Sequence, residues 1–309
     1  MPLLDPHLAA RVQPPTIGTY QTAGALFSRW CLERSLHPTT AAEWDDILME
    51  YKQENIRWIT KSKFANTVAA VEFFFPRLRG DLATAHQILR GWGISEPIKH
   101  TVPLGKNVSK LVGIHFASQS CFRMGLGVVL QAHTGLRPGE LRSLRPCDIF
   151  FPEEAGATLE TLPVVIALGV RKSTKVKRAQ TVRITKKDAD LVMMLERVVR
   201  RTPVNAPIFP FSHDEYRRRL RQVDALLGAN AGWTPHSPRA GFASDSRAEG
   251  LSFEETREAG RWQADSSLRT YLDIVSALDV TVKLRGAGHG PALAWASRFW
   301  WQYWEHGTF

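Results

Sequence analysis

The sequence predicts a mainly α-helical chain with one small antiparallel β-sheet, an α+β fold in two domains. Three observations carry this. Apolar residues recur at helical spacing, behind capping residues, over most of the chain. Only two runs, residues 162–170 and 180–185, are rich in β-formers, and they flank a single basic turn. A stretch broken by Gly and Pro, residues 93–106, reads as a linker between an all-helical beginning and a mixed remainder. The expected division is 1–105, a helical domain; 106–285, an α+β domain; and 286–309, an aromatic tail.

Taken in order, residues 1–20 are Pro-rich and aperiodic and read as a loose arm. Thr40-Ala-Ala-Glu43 fits a capping box, in which hydroxyl and carboxylate satisfy the free N–H groups of a first turn. The helix it opens places Ile47, Leu48 and Tyr51 on one face. Phe64, Val68, Val71 and Phe75 form the next stripe, which Pro76 ends. Leu82, Ala85 and Leu89 form a shorter one. Residues 111–133 are apolar nearly all round, the pattern of a helix buried in a core. Pro138 sits where a first helical residue tolerates it, and Glu140, Leu141 and Leu144 continue that helix. The two β-rich runs predict a hairpin or a three-stranded sheet. Helices then return, with Leu191, Met194, Leu195 and Val198 on one stripe. Ser212-His-Asp-Glu215 opens a helix with Tyr216, Leu220, Val223 and Leu227 inside and Arg217, Arg218, Arg219 and Arg221 outside; Ser252-Phe-Glu-Glu255 opens another. There is no internal repeat and no low-complexity tract. Trp295, Phe299, Trp300, Trp301, Tyr303 and Trp304 crowd the tail, and such a surface must be covered by its own domain or by a neighbouring subunit.

The chain has 309 residues, 44% of them hydrophobic, enough for real cores, and a formal net charge of +10. That charge points to a polyanionic partner, most often nucleic acid. Between Arg171 and Lys187 the charges are all basic, at a β-turn, which suits phosphate contact. Cys31, Cys121 and Cys147 have no metal spacing and read as ordinary thiols of a reducing compartment. No apolar run reaches membrane-spanning length and the N-terminus has no secretory pattern, so an intracellular, DNA-associated protein without membrane contact is expected. No carboxylate cluster or P-loop suggests a metal or nucleotide cofactor, and none is expected.

Four residues near the end of the second domain stand out with one upstream. His236 and Arg239 are three apart and share a face if a helix starts at Ser237. Trp262 and Tyr271 are nine apart across the turn signal Gln263-Ala-Asp-Ser-Ser267, and Arg137 lies in Thr134-Gly-Leu-Arg137-Pro-Gly-Glu140-Leu141. Taken singly, each has an ordinary structural explanation. Together, two arginines, a histidine, an indole N–H and a phenol make a kit for nucleophilic attack on a phosphodiester.

The chain over residues 108–275 resembles the tyrosine recombinases, the phage-integrase family with its Cre-like members. The resemblance rests on His-Thr-Gly-Leu-Arg137-Pro-Gly-Glu140-Leu, Ser173-Thr-Lys175-Val-Lys, His236-Ser-Pro-Arg239, Ala-Gly-Arg-Trp262 and Leu-Arg-Thr-Tyr271. It implies that Tyr271 is the nucleophile, that Arg137 and Arg239 clamp the phosphate, and that His236 belongs to the His-x-x-Arg pair. Trp262 stands where many members have histidine and some have tryptophan. Glu140 supports the site from behind. Lys175 is the general acid, with Lys172 and Lys177 close enough to leave the register open; with Arg178, Arg217, Arg218 and Arg221, these two lysines are the expected DNA contacts. The helical beginning matches the family's core-binding domain, and double-stranded DNA, bound by a tetramer on two sites with a dimer per site, is the implied partner.

The chemistry needs these residue types. A free phenol is about 0.1% ionised at neutral pH, so the nucleophile needs positive charge or a base beside it. Guanidinium forks meet non-bridging phosphate oxygens in pairs, which an ammonium does not. The leaving 5′-oxygen needs a proton, which a lysine on a turn can deliver. The expected activity is site-specific recombination or integration through a 3′-phosphotyrosyl intermediate, without metal or ATP. The same kit would serve a type IB topoisomerase-like nicking-closing enzyme, and a silent DNA-binding relic would keep the same fold.

Overall fold

A computed structural model of the protein describes residue 12 and residues 14–96, 101–168 and 180–305. The chain divides into two compact units, Met1–Lys99 and His100–Phe309.

The first unit is built from four helices: α1 Pro14–Glu33, α2 Ala41–Glu54, α3 Lys61–Phe74 and α4 Ala83–Ser95. Phe27, Leu48, Phe64, Val68, Leu82 and Ala85 close its core. Thr40 and Glu43 form the full capping box read from the sequence. A buried carboxylate, Asp45, caps α4 across the core by accepting from the N–H groups of Thr84 (2.8 Å) and Ala85 (2.9 Å). The arm expected over residues 1–20 is corrected in its second half. Pro14 and Pro15 open α1, because first-turn nitrogens have no helical partner and proline loses nothing there.

The second unit begins with an antiparallel pair, α5 Lys106–Ser118 and α6 Phe122–Thr134. The single buried helix expected over residues 111–133 is in fact this hairpin, turned at Ser120 in a left-handed conformation (φ 58°). A nearly continuous apolar pattern hid the break, since α6 is buried almost throughout and α5 over much of its surface. Gly113 and Gly125 let the two backbones meet: a Cβ on Gly125 would stand 2.6 Å from the Gly113 carbonyl oxygen. The short helix α7, Pro138–Ser143, starts at proline as the sequence indicated.

Three antiparallel strands follow in the order β1-β2-β3: Ile149–Phe150, Val164–Ala167 and Thr181–Ile184. Ile166 pairs with Ile149 on one side and Val182 on the other, and these alternating residues face the core. The basic turn at 171–178 lies outside the described residues.

Helices α8 Ala189–Arg200, α9 His213–Leu226, α10 Ser237–Ala248, α11 Phe253–Gly260, α12 Asp265–Arg269 and α13 Ile274–Leu284 complete the frame around the site. Residues 101–105 belong to this unit. Leu104 is fully buried, its N–H donates to the Ser237 carbonyl (2.9 Å), and a Cβ on Gly241 would lie 2.1 Å from the Leu104 oxygen. The tail forms α14 Gly290–Phe299 and α15 Gln302–Glu305. Trp300 and Trp304 are buried in this unit's own core. The Trp300 indole N–H donates to Asp190, and the Trp304 ring lies over Gly113 and Gly125. Trp295, Phe299 and Tyr303 keep part of their rings exposed. Among the described residues no helix is long and apolar enough to cross a membrane.

Candidate active site

The site forms where the start of α10, the start of α7 and the loops after α11 and α12 converge. His236 is the N-cap of α10, so His236 and Arg239 do share a face as the spacing required. Tyr271 follows α12, held by its N–H to the Leu268 carbonyl (2.8 Å). Its hydroxyl stands 3.2 Å from His236 Nδ1.

His236 is pushed below the ordinary histidine value, first by burial and then by the charges of Arg239, His213, Arg137 and Arg217. The ring therefore stays neutral at neutral pH, and in the tautomer protonated at Nε2 its Nδ1 can accept the tyrosine proton.

Arg239 is 1% exposed. One of its terminal nitrogens donates to the Gly135 carbonyl and the other to the Gly260 carbonyl (2.6 Å). Its carbon sits 4.0 Å from the Trp262 ring centroid and 6.0 Å from that of Tyr271. Burial, then the Arg137 and Arg261 guanidiniums, pull Arg239 down to about 9, so it stays charged at neutral pH and an arriving anion relieves the crowding. Both carbonyls are positioned by glycine. Gly135 caps α6 at φ 64°, and Gly260 lies under the indole, where a Cβ would meet Trp262 Cζ3 at 1.6 Å.

The Trp262 ring packs on Arg239 and beside Tyr271 (centroids 5.7 Å), and its indole N–H is buried without a hydrogen-bond partner among the described residues.

Arg137 presents the more accessible guanidinium, its side chain 39% exposed. Glu140 braces it from beneath, taking one terminal nitrogen (2.8 Å) and the Arg137 backbone N–H (2.8 Å). Burial pushes the Glu140 carboxyl up, but Arg261, the Arg137 N–H and the Arg137 charge outweigh it and hold it below its ordinary value.

The structure thus brings Arg137, Glu140, His236, Arg239, Trp262 and Tyr271 together. Lys172, Lys175, Lys177 and Arg178 lie outside the described residues. Arg217, Arg218 and Arg221 are exposed on α9, as the sequence indicated; Arg218 is paired with Glu215 (2.7 Å). Sequence reasoning missed Arg261. It sits inside the Ala-Gly-Arg-Trp262 motif, and the signal was a charged residue between a glycine and the tryptophan of the set. Among the described residues no group of three or more His, Cys, Asp or Glu is placed to hold a metal ion.

No protein-family model matches the sequence, and no curated protein matches it. Solved structures do. A Tn1549 transposon integrase in complex with transposon right end DNA aligns over 89% of this chain and 94% of its own, at TM-score 0.58 and 12% identity. The XerH site-specific recombinase bound to palindromic difH substrate aligns over 89% and 80%, at 0.57 and 13%. A lambda integrase dimer bound to a COC′ core site aligns over 86% and 74%, at 0.53 and 16%. At these identities the likeness establishes the fold. The chain folds as these integrases and site-specific recombinases do.

Proposed function

We propose that the chain is a site-specific DNA recombinase that cuts and rejoins strands through a 3′-phosphotyrosyl intermediate on Tyr271. The observation that carries this is the Tyr271 hydroxyl against His236 Nδ1, beside two guanidiniums. The neutral imidazole accepts the phenol proton while the phenolate oxygen bonds to phosphorus and the P–O5′ bond breaks. Arg137 and Arg239 take the charge on the non-bridging oxygens. The 5′-oxygen leaves with a proton from a basic-turn lysine, Lys175 in the sequence reading. Attack by a 5′-hydroxyl of a partner strand reverses the step. The tyrosyl ester keeps the phosphodiester's bond energy, so the reading needs neither ATP nor metal.

Double-stranded DNA is the partner in this reading, consistent with the net charge of +10 and with the DNA-bound states of the similar structures. The first unit serves as the core-binding domain, Arg217 and Arg221 meet phosphates from α9, and a tetramer on two sites carries out the exchange.

The test uses nicked suicide duplexes made from inverted repeats of the surrounding DNA, with EDTA present. A covalent protein–DNA band that disappears in Tyr271→Phe is the expected result. A band that survives in Tyr271→Phe, or tight binding without any band, refutes the proposal.

A further inference from the structure

One buried cation at the site lies outside the set that the sequence marked. Arg261 follows the last residue of α11 in a left-handed conformation, φ 59° and ψ 41°, which glycine adopts more cheaply than any side-chain-bearing residue. Its side chain is 6% exposed, and it ends on a carboxylate that is 4% exposed: an Arg261 terminal nitrogen lies 2.7 Å from Glu140 Oε2. That same nitrogen reaches the Gly135 carbonyl (3.4 Å), to which Arg239 also donates. The Arg261 backbone carbonyl in turn accepts from the second terminal nitrogen of Arg137 (2.9 Å). Glu140 accepts from the first (2.8 Å).

We infer that Arg261 is a positioning residue of the strand-transfer site: through Glu140 and its own carbonyl it fixes the Arg137 guanidinium that meets the phosphate. The inference rests on the function proposed above. Its physical basis is the burial of Glu140. A carboxylate removed from water stays ionised only if enough charge faces it, and three guanidiniums do so: Arg137 from the start of α7, Arg239 from α10 and Arg261 from the end of α11. The Arg261 charge is the largest single attraction on Glu140, and Arg137 adds its backbone N–H, its charge and a side-chain hydrogen bond. It acts only from behind, so the face of Arg137 stays open to substrate. A residue that kept this conformation for packing alone would have no reason to be arginine.

Arg261→Gly separates the two parts of the grip. Glycine suits the left-handed turn and leaves the carbonyl in place, so the variant loses the side chain's contacts with Glu140 and the Gly135 carbonyl and keeps the one that Arg137 makes to the backbone. The first readout is the 13C carboxyl titration of Glu140 in the full-length protein, assigned with Glu140→Gln. It is expected to move to higher pH in Arg261→Gly and to return part of the way in Arg261→Lys, which restores charge without the fork. The second is the rate of Tyr271-dependent adduct formation on the suicide duplex. It is expected to fall about 10–100-fold in Arg261→Gly, as for other outer-sphere partners, with a loss that deepens toward acid pH. In the Glu140→Gln background the same substitution is expected to change little. An unchanged Glu140 titration in Arg261→Gly overturns the inference whatever the adduct does. So does an adduct rate equal to wild type at every pH. Absence of adduct in the wild type would instead count against the proposed function, and the carboxyl titration would still decide the role of Arg261.

Discussion

The Tyr271 hydroxyl reaches His236 Nδ1 at 3.2 Å, joining the end of the catalytic sequence to the cap of the helix that carries Arg239. Acceptance of the phenol proton needs an unprotonated Nδ1, and burial followed by the charges of Arg239, His213, Arg137 and Arg217 keeps the ring neutral below the usual histidine range. Adduct formation is therefore expected to hold as pH falls through about 6.5, where a free histidine is half-charged, and to fail only below it. The linked stability has the same sign. Between the depressed folded value and about 6.5 the unfolded chain binds more protons, so stability declines as pH drops through that window. A pH–rate profile with its acid limb at or above the free-histidine value would contradict the assignment.

Gly260 sets the distance between backbone and indole. A methyl group there would occupy the same space as Trp262 Cζ3, at 1.6 Å, so the ring must leave Arg239. Gly260→Ala is expected to destabilise the fold by about 1–3 kcal/mol, the range for overpacking. It should also slow adduct formation by on the order of 100-fold, as small misplacements of catalytic groups do. Urea unfolding and single-turnover cleavage measure the two effects. Wild-type values in both would mean that the indole is not held where the structure puts it.

The arginines of α9 differ in their neighbours. Arg218 is paired with Glu215 (2.7 Å), whereas among the described residues Arg217 and Arg221 have no carboxylate within salt-bridge reach. Arg217→Ala is expected to reduce the slope of log affinity for duplex DNA against log salt by about 0.9, the value for one phosphate contact. Arg218→Ala should change it less. Filter or fluorescence titrations from low to moderate salt read this directly. Equal slopes for wild type and Arg217→Ala would remove Arg217 from the DNA interface.

What could be read in advance was local. The capping boxes at Thr40 and Ser252 form as their three-residue spacing requires, because both partners lie within one turn. Ser212 caps its helix too, but Glu215 turns to Arg218 and Arg219, a competition that spacing does not reveal. The convergence of Arg137, His236, Arg239, Trp262 and Tyr271 was legible as a set of residue types suited to one reaction. Their geometry was not. That Arg239 lies inward on two glycine carbonyls, and that Glu140 serves two arginines, depends on backbone groups far apart in the chain. The break between α5 and α6 was hidden for a related reason: largely buried, the two helices share one hydrophobic pattern.

The short strap at Leu104 has a practical consequence for anyone isolating the second unit. Its N–H is bonded to Ser237, and its carbonyl occupies the space that Gly241 leaves open, two residues from Arg239 on the same helix. A fragment cut at Lys106, where the first helix starts, would uncover the backbone of α10 and break that bond. One cut at His100 would carry its own cover, so the usable edge of the unit lies in the irregular residues before the helix.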